Sequence, residues 1–248
     1  MRCWDARAKP HRHHMQAKLI EWVEIAPGVR HFVFEAPQIE RLDFTPGQFV
    51  SLSGEVEGKI ITRAYSIASA PSGGNRFELC LNRVDDGAFS PHLFDLSPGD
   101  SVEMQPPLGT FVLREASRDA LRRDSVLVAT GTGIAPFRSM LEATLTLGGP
   151  AFTLLFGVRY ESHLLYRQEF EEMERQFPQF RFWPTLTRPE PGWKGRVGRV
   201  QAHLAEATGG RNDIDVYLCG LRPMVDDVRQ ILKGMGFDRK QVRYEKYD

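Results

Sequence analysis

One change of rhythm limits what this chain can fold into. From Ala17 to about Leu113, short runs alternate polar and apolar residues: KLIEWVEI, VRHFVFEA, GQFVSLSG, RAYSIASA, RFELCLNRV and DSVEMQPP. Residues i and i+2 share one face of a strand, so a period of two marks half-buried β-strands. Turn signals divide the runs: Pro27-Gly28, Pro46-Gly47, Ser72-Gly73-Gly74, Asp86-Gly87 and Pro98-Gly99. Short strands so closely spaced form a closed barrel or a sandwich, with Phe44, Phe49, Phe77, Phe94 and Phe111 as its expected core. From about Ser117 the rhythm changes. RDALRR reads as helix, followed by a strand at 126–130, a helix at 136–147, a strand at 151–158 and a helix at 164–177. A strand at 180–187, a helix near 198–207, a strand at 215–220 and a helix at 223–236 follow. Strand and helix in alternation imply a mostly parallel sheet with helices on both faces. Two domains are expected, 17–116 and 117–248, with 1–16 as a tail.

Composition narrows the function. A chain of 248 residues suits two ordinary domains. No run approaches the ~20 apolar residues of a membrane span, so no membrane partner is expected. A formal net charge of zero argues against a general nucleic-acid binder. Cys3, Cys80 and Cys219 form no C-x-x-C pair and no cluster of four, which argues against zinc, redox-dithiol and iron–sulfur sites and fits a reducing cytoplasm. No metal site is expected. The opening MRCWDARAKPHRHHM is basic and lacks the apolar stretch of a secretory signal. His11, His13 and His14 read as part of the tail, Trp4 is its one residue able to pack, and Met15 reads as the natural start.

Four short segments carry the chemistry. VLVATGTGIAPFRSM, residues 126–140, reads as strand, glycine turn and helix start, with Pro136 in the first helical turn. Free backbone N–H groups and a helix dipole there suit an anion such as a pyrophosphate, although a plain tight turn has the same pattern. RAYS (Arg63, Ala64, Tyr65, Ser66) offers a guanidinium fork, an aromatic face and a hydroxyl; alternation puts Arg63 and Tyr65 on one side of a strand and Ser66 on the other. In DGAFSPHLFDL, residues 86–96, Ser90 reads as the N-cap of a short helix begun by Pro91, a second phosphate corner or a simple barrel-end cap. YLCGLRPMV, residues 217–225, is a second strand–glycine–helix corner. In a parallel sheet both corners fall on the edge where ligands bind.

In order, R-x-Y-S, the D-G-x-x-S turn, P-L-G-x-F (Pro107 to Phe111), G-T-G-x-A-P, Y-x-C-G and a terminal E-x-Y resemble the ferredoxin–NADP⁺ reductase family, in particular its bacterial branch. The resemblance spans about residues 17–248. It implies an antiparallel β-barrel binding FAD, followed by an α/β domain binding NADP(H). Arg63 then corresponds to an FAD pyrophosphate ligand, Tyr65 to the residue packed on the isoalloxazine, and Ser66 to a hydroxyl near flavin N5. Ala64 lies between them. Gly87, Ala88, Phe89 and Ser90 correspond to the turn closing on the FAD phosphates. Thr130, Gly131, Thr132 and Gly133 match the NADP pyrophosphate and nicotinamide corner, and Cys219 and Gly220 belong to the second corner. Ser66 and Cys219 would line the transfer site, where nicotinamide and flavin stack roughly 3–3.5 Å apart. Glu245 and Tyr247 match the E-x-Y, whose aromatic covers the flavin face; here Asp248 follows it.

The cofactor's 2′-phosphate calls for arginines and no facing carboxylate. Arg159 and Arg188 fall at strand ends and WKGR adds Arg196, and NADPH preference is expected. The leading expectation is a cytoplasmic, monomeric flavoenzyme passing electrons between NADP(H) and ferredoxin or flavodoxin. The alternatives are a reductase component of an oxygenase, a free-flavin reductase, and a non-catalytic flavin-binding electron-transfer subunit.

Overall fold

The computed structural model describes residues 15–114 and 123–247. The expected tail up to residue 14, most of the RDALRR helix, the boundary at 116/117 and Asp248 lie outside the described residues. Met15 and Gln16, assigned to the tail from sequence, instead open the first strand.

The first domain is all antiparallel. Its strands are β1 (Met15–Ala26), β2 (Val29–Glu35), β3 (Phe49–Val56), β4 (Lys59–Ser66), β5 (Arg76–Asn82) and β6 (Ser101–Leu108), in sheet order β4-β3-β6-β1-β2-β5. The outer strands meet through the Ile67–Leu79 bridge just past β4, which closes the barrel. Alternation along the strands turns Leu19, Phe32, Phe34, Leu52 and Phe77 inward to one core. Helix α1 (Ser90–Phe94) adds Leu93 and Phe94 to it. Two of the expected core phenylalanines act elsewhere. Phe49 lines the interdomain cleft. Phe111 packs on Phe137 and Tyr217 of the second domain.

The second domain is a six-stranded sheet in order β10-β9-β8-β7-β11-β12, parallel throughout. Its strands are β7 (Ser125–Thr130), β8 (Phe152–Val158), β9 (Phe180–Leu186), β10 (Arg196–Val197), β11 (Asp215–Leu221) and β12 (Val242–Tyr247). β7 and β11 read as unbroken apolar runs because helices cover both their faces. The helices are α2 (Ala135–Thr144), α3 (Arg167–Gln176), α4 (Leu204–Thr208) and α5 (Arg222–Gly234). Helix α3 starts three residues later than its apolar spacing predicts, because Tyr166 takes a left-handed backbone, φ 55°. The predicted helix near 198–207 divides into a 3₁₀ turn at Val200–His203 and α4. The chain turns one way from β7 through β8 to β10, then crosses back to β11, so the crevice at this reversal lies beside the C-terminal ends of β7 and β11.

Helix α2 fastens the two domains. Arg138 donates to Ala68 O (2.9 Å) and pairs with Glu78 of the barrel (2.7 Å), and with Glu142 (2.8 Å) and Glu169 (2.8 Å) of its own domain. Ser139 Oγ donates to Ser69 O (2.6 Å), and the Ala70 amide donates to Glu142 (2.8 Å). Three carboxylates share one guanidinium, with His31 on the far side of Glu78 at 3.7 Å. Burial outweighs Arg138 and the Ala70 amide and, helped by Glu169 and Glu78, pushes Glu142 up to about 7. The folded protein therefore holds a proton there between the ordinary 4.5 and about 7. This contribution to stability is full below 4.5 and is lost as pH rises through 7. Glu142→Gln is expected to flatten that part of the melting-temperature profile. Parallel wild-type and variant profiles between pH 5 and 8 would contradict it.

Candidate active-site cleft

A cleft of about 1610 Å³ separates the domains. Single-ligand pockets span ~300–1,000 Å³, so this one has room for two dinucleotide-sized groups. The barrel contributes Arg63, Ala64, Tyr65 and Ser66 from the end of β4 and the turn Gly87–Ser90; the α/β domain contributes Thr130–Thr132 and Glu245–Tyr247.

Where the two walls meet, three side chains form one hydrogen-bonded chain. Glu245 and Tyr247 lie two apart on β12 and face the same way. Tyr247 OH donates to Ser66 Oγ (2.7 Å), which donates to Glu245 Oε1 (2.7 Å). Burial drives the Glu245 carboxyl above its usual range, against the Ser66 hydrogen bond, and holds Tyr247 well above its own. Tyr247 stays a neutral donor, and Glu245 is poised to take or hold a proton. β12 registers on β11, with Glu245 beside Cys219 and Tyr247 beside Leu221, and this is what carries the terminal motif to the barrel.

The remaining barrel residues divide by task. Arg63 extends into the cleft with its guanidinium bonded to Thr62 O (2.8 Å) and, among the described residues, no carboxylate partner. Burial raises the Tyr65 phenol to about 12, against the pull of Arg63. Ser90 is not the expected N-cap: it is the first residue of α1, and its hydroxyl instead binds the Val84 amide (2.9 Å), tying down the Gly87 turn. The Phe89 ring belongs to the barrel core.

In the second domain, Gly131 (φ 54°) starts a 3₁₀ turn, Gly131–Ile134, that runs straight into α2. Gly131 and Thr132 line the cleft. Gly133, expected to share that role, faces the sheet: a Cβ there would lie 2.4 Å from Cys219 O. Gly220 (φ 148°) likewise lies behind the wall, where a Cβ would sit 2.3 Å from Thr130 Oγ1. Cys219, expected at the transfer site, lies off the cleft surface and against Tyr247 in this structure. It is fully buried, burial pushes its thiol well above the usual range, and its partner is Tyr247. Cys80 of β5 reaches the cleft instead, a residue with no motif to reveal it. Thr130 Oγ1 is buried with no hydrogen-bond partner. A polar atom left so costs ~1–3 kcal/mol, so it fits a ligand group arriving at this corner.

Arg159 and Arg188 reach the cleft from the ends of β8 and β9, and Arg188 donates to Tyr160 OH (3.2 Å). Arg196 does not. Its guanidinium pairs with Glu206 (2.7 Å) and lies over the Trp183 ring at 3.6 Å. Arg199, three residues on, lines the cleft in its place.

Residues 16–113 match the sequence profile described as oxidoreductase FAD-binding domain, and residues 127–230 the oxidoreductase NAD-binding domain. The ferredoxin–NADP reductase B of Sorangium cellulosum (strain So ce56) is 40% identical over 241 residues, covering 94% of this chain and 97% of that protein. The chain belongs to the ferredoxin–NADP reductase family. The toluate 1,2-dioxygenase electron transfer component of Pseudomonas putida is 32% identical over 215 residues, 86% of this chain but 61% of that protein. The solved structure of an Amycolatopsis cytochrome P450 reductase superposes with a TM-score of 0.84 at 30% identity, covering 94% of this chain and 69% of that one. This chain thus spans nearly the whole of the Sorangium protein and about two thirds of the other two. The antiparallel barrel followed by a parallel α/β sheet, expected from sequence, is what the structure has. Among the described residues no helix is long and apolar enough to cross a membrane.

Proposed function

We propose that the chain passes electrons between NADP(H) and a small one-electron carrier, ferredoxin or flavodoxin, through FAD, and that it works as a monomer. The observation that carries this reading is the Tyr247–Ser66–Glu245 chain, which joins both walls where the two halves of the cleft meet. The free cysteines Cys80 and Cys219 support a reducing cytoplasm.

The flavin, when bound, supplies the chemistry that links two-electron hydride exchange to single-electron release. Arg63 and the backbone of the Gly87–Ser90 turn bind its pyrophosphate, and Tyr65 packs on its ring system. The Thr130–Thr132 corner takes the nucleotide's pyrophosphate and amide. Ser66 positions a proton at Glu245 Oε1. Tyr247 keeps water from the ring-stacking site and moves aside, breaking its bond to Ser66, for the nicotinamide to enter.

Arg159, Arg188 and Arg199 are proposed to hold the 2′-phosphate of NADP(H). A hydrogen bond to a charged group contributes ~1.5–3 kcal/mol, so Arg188→Glu with Arg199→Glu is expected to raise the KM for NADPH on the order of 100-fold relative to NADH. Arg196→Glu should leave that ratio alone. Equal rises for both nucleotides would refute the assignment. The wider reading is tested under argon: yellow protein should bleach with NADPH and recover its colour with ferredoxin, at a rate that falls with ionic strength.

The second reading, a reductase component serving an oxygenase, is favoured by the Pseudomonas putida and Amycolatopsis relatives. Faster recovery with an oxygenase than with ferredoxin or flavodoxin would select it.

A further inference from the structure

We propose that Arg138 of α2, gripping Glu78 of β5, is a positioning residue that sets the spacing of the two halves of the cleft. The inference rests on the function proposed above and adds a residue that touches neither cofactor site.

The connection is mechanical. Helix α2 continues directly from the Gly131–Ile134 turn, so the guanidinium and the nucleotide corner move as one body. On the barrel side, Glu78 shares β5 with Cys80, which lines the cleft two residues on. A slip at Arg138–Glu78 is therefore a slip of one cleft wall past the other. Few groups could fix both domains as this one does. Nε and the two terminal nitrogens of Arg138 reach Glu169, Glu78, Ala68 O and Glu142 in different directions. An ammonium has no such planar fork. The guanidinium side chain is 12% exposed and its three carboxylates 24–31%, so solvent screens the cluster less than it would a surface pair.

Tyr166 backs the clamp from below. Arg138 lies 4.9 Å over its ring, and its hydroxyl meets His31 Nδ1 of β2 at 2.9 Å, a second link between the domains. Tyr166 takes the left-handed backbone that bulky residues avoid, φ 55°. The surrounding contacts hold it there, and the site of that strain is the domain seam.

Reaction between two bound rings depends steeply on their separation, and a 1 Å misplacement costs ~100-fold. Glu78→Ala cuts the carboxylate link to the barrel and leaves Arg138 both carboxylates of its own domain. We expect unchanged FAD content and unchanged NADP⁺ affinity in this variant. Its anaerobic bleaching by NADPH should slow about 100-fold. The long-wavelength absorbance that stacked nicotinamide and flavin rings give on mixing should be lost. Glu78→Gln keeps an acceptor for the guanidinium and should recover part of both. It also carries the test, with a smaller loss, if the alanine variant does not accumulate. Full rate and full long-wavelength band in Glu78→Ala overturn the clamp alone. So does a loss that merely tracks lost FAD, which is a structural role. Wild-type protein inert to both nicotinamides overturns the functional reading and the clamp with it.

Discussion

Alanine at position 133 is expected to abolish tight nucleotide binding while the barrel stays folded and yellow. The added methyl would sit 2.4 Å from Cys219 O, 2.6 Å from Cys219 C and 2.9 Å from Gly220 Cα. All three are backbone atoms of buried residues of β11, so no rotamer change relieves the clash. To reach the ~3.5 Å of an ordinary contact the turn must retreat by about 1 Å and carry the start of α2 with it. Overpacking of this kind costs ~1–3 kcal/mol, which appears as a lower melting temperature. The displaced amides cost more in function, since a shift of that size at a reacting site is worth ~100-fold. At Gly131, by contrast, a Cβ would meet no protein atom within 4 Å and would face the cleft, so an alanine there would confront the nucleotide and not the strand. Titration of Gly133→Ala with NADP⁺ and a thermal melt decide the matter. Wild-type nucleotide affinity in a folded Gly133→Ala variant would mean that the strand contact does not position the corner.

The same pair of glycines shows what the sequence could and could not disclose. G-T-G-x-A-P announces a strand–turn–helix corner, and such a corner is present. Spacing alone assigns both glycines to the ligand. Only the packing of the turn on β11 separates one that faces the cleft from one that makes room for backbone. Arg196 and Arg199 pose the same problem. They stand three apart around Gly198, and nothing in the string tells which one Glu206 and Trp183 will capture. Cys219 was drawn to the site by its motif, whereas the strand it occupies is covered on both faces. β12 was hidden for a different reason. VRYEKY is an edge strand rich in charge, and its parallel partner, β11, ends more than twenty residues earlier, beyond any local pattern. The barrel strands were legible because one face of each meets water and the period of two survives.

Ser66→Ala is expected to lower turnover about 100-fold, at the low end of the 10²–10⁴ of a positioned proton-transfer group, with FAD content preserved. The removed hydroxyl is the middle of a three-member chain that crosses the domains, so its loss leaves two groups stranded. The Glu245 carboxyl, already pushed up by burial, loses the one side-chain donor that favours its charged form. It is then harder to ionise, and the pH above which it works as a base moves upward. Tyr247 OH loses its acceptor. Only the weak Cys219 thiol remains beside it, and a buried hydroxyl so poorly satisfied loses up to ~1–3 kcal/mol, which weakens the hold of β12 on the barrel and frees the aromatic ring. The two consequences oppose each other in the kinetics. Easier displacement of Tyr247 should tighten apparent nucleotide binding, while slower proton positioning should depress kcat. The expected signature is a lower kcat with an equal or lower KM for NADPH, and a kcat–pH profile whose acidic limb shifts to higher pH. Ser66→Thr retains an oxygen for both partners and should recover much of the rate. A Ser66→Ala variant with unaltered kcat and an unshifted profile would show that the hydroxyl only joins the domains. Proton control would then rest with Glu245 alone.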